Sequence, residues 1–222
     1  MNSNLRKLSS RGFVQVLILV CLAFFVFTMG FIGIITPETH AKSLQLTPVA
    51  LMLSLLIVLL FAENPYTLKS ILIFILIAVL GYFIEVIGIR THRIFGNYTY
   101  GKTLGFSLFN TPLIIGFNWL FLVYTSSSIF ERFDLHTGLK IVFASLIMLI
   151  YDIVIEPVAT KTDMWSWVNS IVPFQNYVAW FLLALLFHFI LKWGRISTKN
   201  PIAPWVLLCQ FLFFLALRIF LK

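Results

Sequence analysis

The chain has 222 residues, of which 60% are hydrophobic and only 11% charged, with a mean hydropathy of +0.99. That composition excludes an ordinary soluble domain and points to an integral membrane protein. The net charge of +8 does not call for nucleic acid, because basic residues flanking apolar segments orient membrane proteins; no nucleic-acid partner is expected.

A spanning helix needs about 20 mainly apolar residues. Seven such stretches are legible, over about 13–35, 44–62, 68–89, 104–124, 139–160, 173–193 and 203–221. The expected fold is therefore all-α, a polytopic membrane helical bundle of about seven transmembrane helices. With no repeat or linker, it reads as one integral-membrane domain over residues 1–222.

The first stretch follows Arg6, Lys7 and Arg11 and could be a signal peptide cleaved after Thr39-His40-Ala41. Its apolar run from Phe13 to Ile35 exceeds the usual h-region of about 7 to 15 residues, which favours a retained anchor. Counting Lys and Arg with the N-terminus inside places nine on the cytoplasmic side and seven on the other. The expectation is a multi-pass protein of the cell (cytoplasmic) membrane with its N-terminus inside, although Arg90, Arg93 and Lys102 fall on the nominal outer side. Cys21 and Cys209 both lie in apolar spans and suggest neither a disulfide nor a metal site.

The first, second and seventh spans are nearly bare hydrocarbon, as in Leu51-Met-Leu-Ser-Leu-Leu-Ile-Val-Leu-Leu60, and read as scaffold. Polar residues gather on the third to sixth spans. Glu85, near the end of the third, is either an interfacial acid paired with Arg90 or Arg93 or a member of an internal cavity. The following Arg90-Thr-His-Arg-Ile-Phe-Gly-Asn-Tyr-Thr-Tyr100 reads as a structured connection or short hairpin at the membrane surface. Its Tyr98 and Tyr100 also suit an aromatic belt. Pro112 and Asn118-Trp119 are assigned to the fourth span.

The fifth span ends in Tyr151-Asp-Ile-Val-Ile-Glu-Pro-Val-Ala-Thr-Lys-Thr-Asp-Met-Trp-Ser-Trp167. A carboxyl group inside a bilayer costs several kcal/mol unless paired, wetted or protonated, so Asp152 and Glu156 are functional candidates by default. Spaced four apart, they share one helix face, and Pro157 is expected to disturb the helix beside them. Neither has a base within the span. Two carboxyls placed together out of water favour a state in which one holds a proton. The sixth span carries Asn176, Trp180 and His188; the last has no second ligand at metal spacing, and no metal is expected. Asp-rich and Gly-rich phosphate motifs are absent.

Four motifs in order carry a family resemblance: Glu85-Val-Ile-Gly-Ile-Arg-Thr-His-Arg-Ile-Phe-Gly-Asn-Tyr-Thr-Tyr-Gly-Lys-Thr-Leu-Gly105; Thr111-Pro112 with Asn118-Trp119; Asp152 to Trp167; and Pro173-Phe-Gln-Asn-Tyr-Val-Ala-Trp180. Over about residues 80–190 the chain resembles the CruF-like carotenoid biosynthesis protein family, which includes carotenoid 1,2-hydratases and the bisanhydrobacterioruberin hydratase of halophilic archaea. Where that family often has Asp-x-x-x-Asp-Pro, this chain has Asp152-Ile-Val-Ile-Glu156-Pro157, which keeps the carboxylate. His92 stands where a glycine is expected, and Met164 where a Phe is common.

The resemblance implies addition of water to the terminal double bond of an acyclic carotenoid end group, without a cofactor. It implies Asp152, Glu156 and Glu85 as the proton-handling acids. Asn118 and Asn176 would position water, and Trp119, Trp165, Trp167 and Trp180, with Tyr98 and Tyr100, would surround the end group and its cation. The partners implied are the lipid-soluble carotenoid, water, membrane lipids and other carotenoid-pathway enzymes. The competing readings are a carotenoid cyclase of the lycopene type or other end-group enzyme, a small proton-coupled transporter, and a structural subunit of a pigment-synthesis complex.

Overall fold

A computed structural model describes residues 10–221, with side chains described from Val14 onward; Arg6, Lys7 and the side chain of Arg11 lie outside the described residues. Eight α-helices and four short strands occur among them: α1 Ser10–Ile35, α2 His40–Gln45, α3 Thr47–Leu60, α4 Leu68–Thr91, β1 Tyr98–Tyr100, β2 Ser107–Leu108, β3 Thr111–Pro112, α5 Ile114–Phe130, α6 Thr137–Lys161, β4 Trp165–Trp167, α7 Phe174–Trp193 and α8 Ala203–Phe220. The bundle is all-α, as the apolar runs predict. Five helices (α1, α4, α6, α7 and α8) are long and apolar enough to cross a bilayer, so the chain is a multi-pass membrane protein. With 14 and 17 residues, α3 and α5 reach about 21 and 26 Å, short of the hydrocarbon thickness of about 30 Å.

The central helix is α5. It packs on α3, α4, α6 and α8, and Trp119 through Ser128 are all buried, which explains why the helix carries no charged residue on any face. Its start differs from expectation. The fourth span was expected at 104–124 with Pro112 inside it, but Pro112 lies in strand β3, and the helix begins at Ile114. Phe109 and Asn110 adopt φ of 53° and 61°, the paired left-handed geometry of a tight hairpin turn, and β2 pairs antiparallel with β3 across it. The second span is likewise split, into α2 and α3 around Leu46.

The connection after α4 does not form a hairpin with itself. Its β1 pairs antiparallel with β4, which follows α6, matching Tyr98 with Trp167, Thr99 with Ser166 and Tyr100 with Trp165. Backbone bonds from Val168 to the Asn97 carbonyl (3.1 Å) and from Gly101 to the Met164 carbonyl (2.9 Å) extend the ribbon on both sides. The Thr103 hydroxyl closes it on the Thr162 carbonyl at 2.6 Å. The ribbon thus ties the C-terminal ends of α4 and α6 together and caps that end of the bundle.

Helix α6 runs unbroken through Pro157. A proline there cannot donate to the carbonyl four residues back, and the freed Ile153 oxygen instead accepts from Arg218 Nη1 of α8 at 2.7 Å. At the opposite end of the bundle, Lys192 forms an ion pair with Glu131, which also accepts from the Thr198 hydroxyl at 3.1 Å.

Deep between α5, α6 and α7, His188 meets Ser126 Oγ through Nε2 at 3.0 Å, and the Ala184 carbonyl and Ser145 Oγ through Nδ1 at 2.7 and 3.2 Å. Because a carbonyl only accepts, Nδ1 carries the hydrogen toward Ala184, and Nε2 faces Ser126 Oγ, whose hydroxyl also meets the Leu122 carbonyl at 2.6 Å. His188 is a structural clamp joining three helices. His188→Leu is expected to lower stability by about 1 to 2 kcal/mol with turnover preserved, read by thermal unfolding in detergent alongside a product assay.

Candidate active site

Helix α4 presents Gly81, Glu85 and Gly88 on one face, at spacings of four and three. The two glycines matter because aromatic rings lie directly on the backbone. A Cβ at Gly81 would come within 2.8 Å of Trp119 Cβ and Cγ, and one at Gly88 within 2.6 Å of the Phe95 ring. Between them Glu85 accepts three hydrogen bonds. Tyr98 and Tyr100 hydroxyls donate to Oε2 at 2.5 and 3.0 Å, and Trp119 Nε1 donates to Oε1 at 3.1 Å. Burial, with the Glu85 charge beside them, pushes both phenols above their ordinary value, so the tyrosines stay protonated and serve as donors. The expected alternative, a surface pair with Arg90 or Arg93, is not what forms: Glu85 is buried among neutral donors, and Arg90 lies over the Phe109 ring.

Glu156 is held in a similar way from the other strand of the ribbon. Trp165 and Trp167 donate their indole N–H groups to Oε2 at 3.0 and 2.6 Å, and Asn176 Nδ2 reaches Oε1 at 3.2 Å. The same Asn176 nitrogen donates to Asp152 Oδ2 at 2.9 Å. Asp152 Oδ1 is buried without a partner. The period-2 alternation of strands accounts for this arrangement: Tyr98, Tyr100, Trp165 and Trp167 point inward, while Thr99 and Ser166 face out.

Together these groups line a partly open cavity of about 40 Å³, enough for about three waters at roughly 10–15 Å³ each. Glu85, Glu156, Tyr98, Tyr100, Asn118 and Asn176 supply its polar wall, and Trp119, Trp165, Trp167 and Trp180 most of its aromatic wall. Trp119 and Trp180 stack with ring centroids 4.3 Å apart and an interplanar angle of 22°. Ten of the eleven candidate residues therefore come together. Asp152 is the exception: it is fully buried but does not line the cavity, and it touches the site through Asn176.

Tyr151, Phe95, Ile115 and Ile155 also line the cavity and were not singled out from sequence. Behind Tyr151 stands Gln210 of α8, fully buried, donating to the Tyr151 hydroxyl at 2.7 Å. The seventh span is thus more than scaffold, and a lone amide in its apolar run was the available signal.

The fold and site define an integral-membrane helical bundle that encloses carboxyl groups, neutral hydrogen-bond donors and indole rings in one small chamber. The chain belongs to the carotenoid biosynthesis protein family: the family model described as carotenoid biosynthesis protein matches residues 46–222. The match is consistent with the CruF-like resemblance and extends beyond residues 80–190 to take in α3 and α8. No curated protein and no solved structure matches the chain.

Proposed function

We propose that the protein hydrates the terminal trisubstituted double bond of an acyclic carotenoid, giving a tertiary alcohol. The observation that carries this reading is the chamber itself: two carboxyl groups, Glu85 on α4 and Glu156 on α6, each held by neutral donors that include one strand of the cap, with room for water and with stacked indoles alongside. Protonating an unactivated alkene requires an acid kept from bulk water, and the resulting cation must last until water reaches it. Desolvated indole faces stabilise such a cation by about 2 kcal/mol or more.

In this mechanism the α6 side, with two carboxyls joined by Asn176, holds the proton, and Glu156, which faces the chamber, delivers it to the alkene CH carbon. The electron pair of the double bond forms the new C–H bond and leaves a tertiary cation. Water adds to the cation through oxygen and gives up a proton to Glu85. Glu156 is left ionised and Glu85 protonated, and water in the chamber that both line carries the proton from Glu85 back to Glu156, which closes the cycle. Asp152 acts through Asn176 as a positioning residue, and Asn118, half-buried and without a hydrogen bond among the described residues, holds the attacking water. No step calls on a cofactor.

Expression in a host that accumulates lycopene, followed by mass spectrometry of the pigments, tests the reaction. The expected product is heavier than its precursor by one water per modified end. A product of unchanged mass would identify cyclisation, in which a neighbouring double bond captures the cation, and would replace this reading.

A further inference from the structure

The chamber is partly open but has free space for only about three waters, so seating the branched five-carbon end of a carotenoid in it calls for one of its walls to give way. The ribbon is a poor candidate because its strands are bonded to each other from Asn97–Val168 to Thr103–Thr162 and to both carboxyl groups from within. Trp119 is equally fixed: it is 1% exposed, bonded to Glu85, and seated on the bare backbone of Gly81.

Trp180 differs from the other three lining tryptophans. Trp119, Trp165 and Trp167 each commit the indole N–H to a carboxylate, whereas that of Trp180 makes no hydrogen bond among the described residues. It is half-buried and rests on Trp119 by stacking. It projects from α7, which packs along α6 but touches α4 and α5 only lightly. A side chain held by packing and stacking without a hydrogen bond, at the loosest seam of the chamber, swings at less cost than neighbours that must also break a bond to a carboxylate.

We infer that Trp180 is the gate of the chamber: swung away from Trp119 it admits an apolar chain end from the bilayer through the seam between α4 and α7, and swung back it closes the indole wall over the bound end. This rests on the chamber being a substrate site, as proposed above, but its test does not depend on turnover.

The full chain, labelled with 5-fluorotryptophan and placed in lipid nanodiscs, is observed by fluorine NMR, with the Trp180 line assigned by its loss in Trp180→Phe. Should that variant fail to fold, Trp180→Tyr serves the same assignment. The expected result is a Trp180 line that is split or broadened without ligand, or displaced on adding lycopene, while the lines of Trp119, Trp165 and Trp167 remain single and move by less. A single Trp180 line unmoved by lycopene overturns the gate, as does broadening confined to Trp165 and Trp167, which would assign the opening to the ribbon. A mobile Trp180 in a protein that makes no hydrated product would leave the gate standing and remove the hydration reading alone.

Discussion

Glu85→Gln and Glu156→Gln are each expected to cut formation of the hydrated carotenoid by about 10² to 10⁴-fold, the usual contribution of a positioned acid or base. Both substitutions preserve shape but exchange one acceptor oxygen for an amide donor, so loss of product at unchanged thermal stability is what would report proton handling. Asp152→Asn is expected to lose less, about tenfold, because Asp152 does not line the chamber and acts through Asn176. The ranking is the informative part. Pigment analysis of the three variants, normalised to protein in the membrane, checks it. Full product from either glutamine variant would remove that residue from the mechanism, and an Asp152→Asn variant as dead as Glu156→Gln would move the proton donor one turn back along α6.

The three acids were legible in the sequence because a carboxyl in an apolar run has few inexpensive explanations. Their depth was not. Residues four apart on a helix differ by about 40° in direction, so Asp152 and Glu156 read as equivalent, yet only Glu156 reaches the chamber, because Trp165 and Trp167 arrive on its side alone. The ribbon was hidden for a related reason. Tyr98 to Tyr100 and Trp165 to Trp167 are too short to announce strands, and they meet only because α4 and α6 end side by side. Phe109 misled in the opposite direction: a large apolar residue with a φ of 53° gives no local sign of a turn, so the hairpin passed for the start of α5. Pro157 was expected to disrupt α6, and the reason it does not is Arg218, a residue more than sixty positions away whose guanidinium takes up the released Ile153 carbonyl. Local pattern carried the class of the fold and the chemistry of the side chains. The site itself is built from contacts between distant segments, which local pattern does not encode.

Asn176→Leu is expected to destabilise the protein by about 2 to 5 kcal/mol, the largest stability effect of any single side chain in the site. The same amide nitrogen serves Asp152 Oδ2 and Glu156 Oε1, and it is the one donor bonded to Asp152 among the described residues. Removing it leaves a buried carboxyl with neither oxygen satisfied, and a stranded polar group costs about 1 to 3 kcal/mol, more when it carries charge. The asymmetry of that cost supplies a control. Replacing both partners by apolar groups of similar shape is close to neutral, so Asp152→Leu in the Asn176→Leu background is expected to recover at least half of the loss, although Asp152→Leu alone is destabilising. Thermal unfolding of the four proteins in one detergent closes the double-mutant cycle. Additive losses would mean that Asn176 and Asp152 stabilise the bundle independently, and Asp152 would then have no path through Asn176 to the chamber. A large coupling in stability, together with pigment formation retained in Asp152→Asn, would separate the acid that organises the site from the acid that faces the alkene.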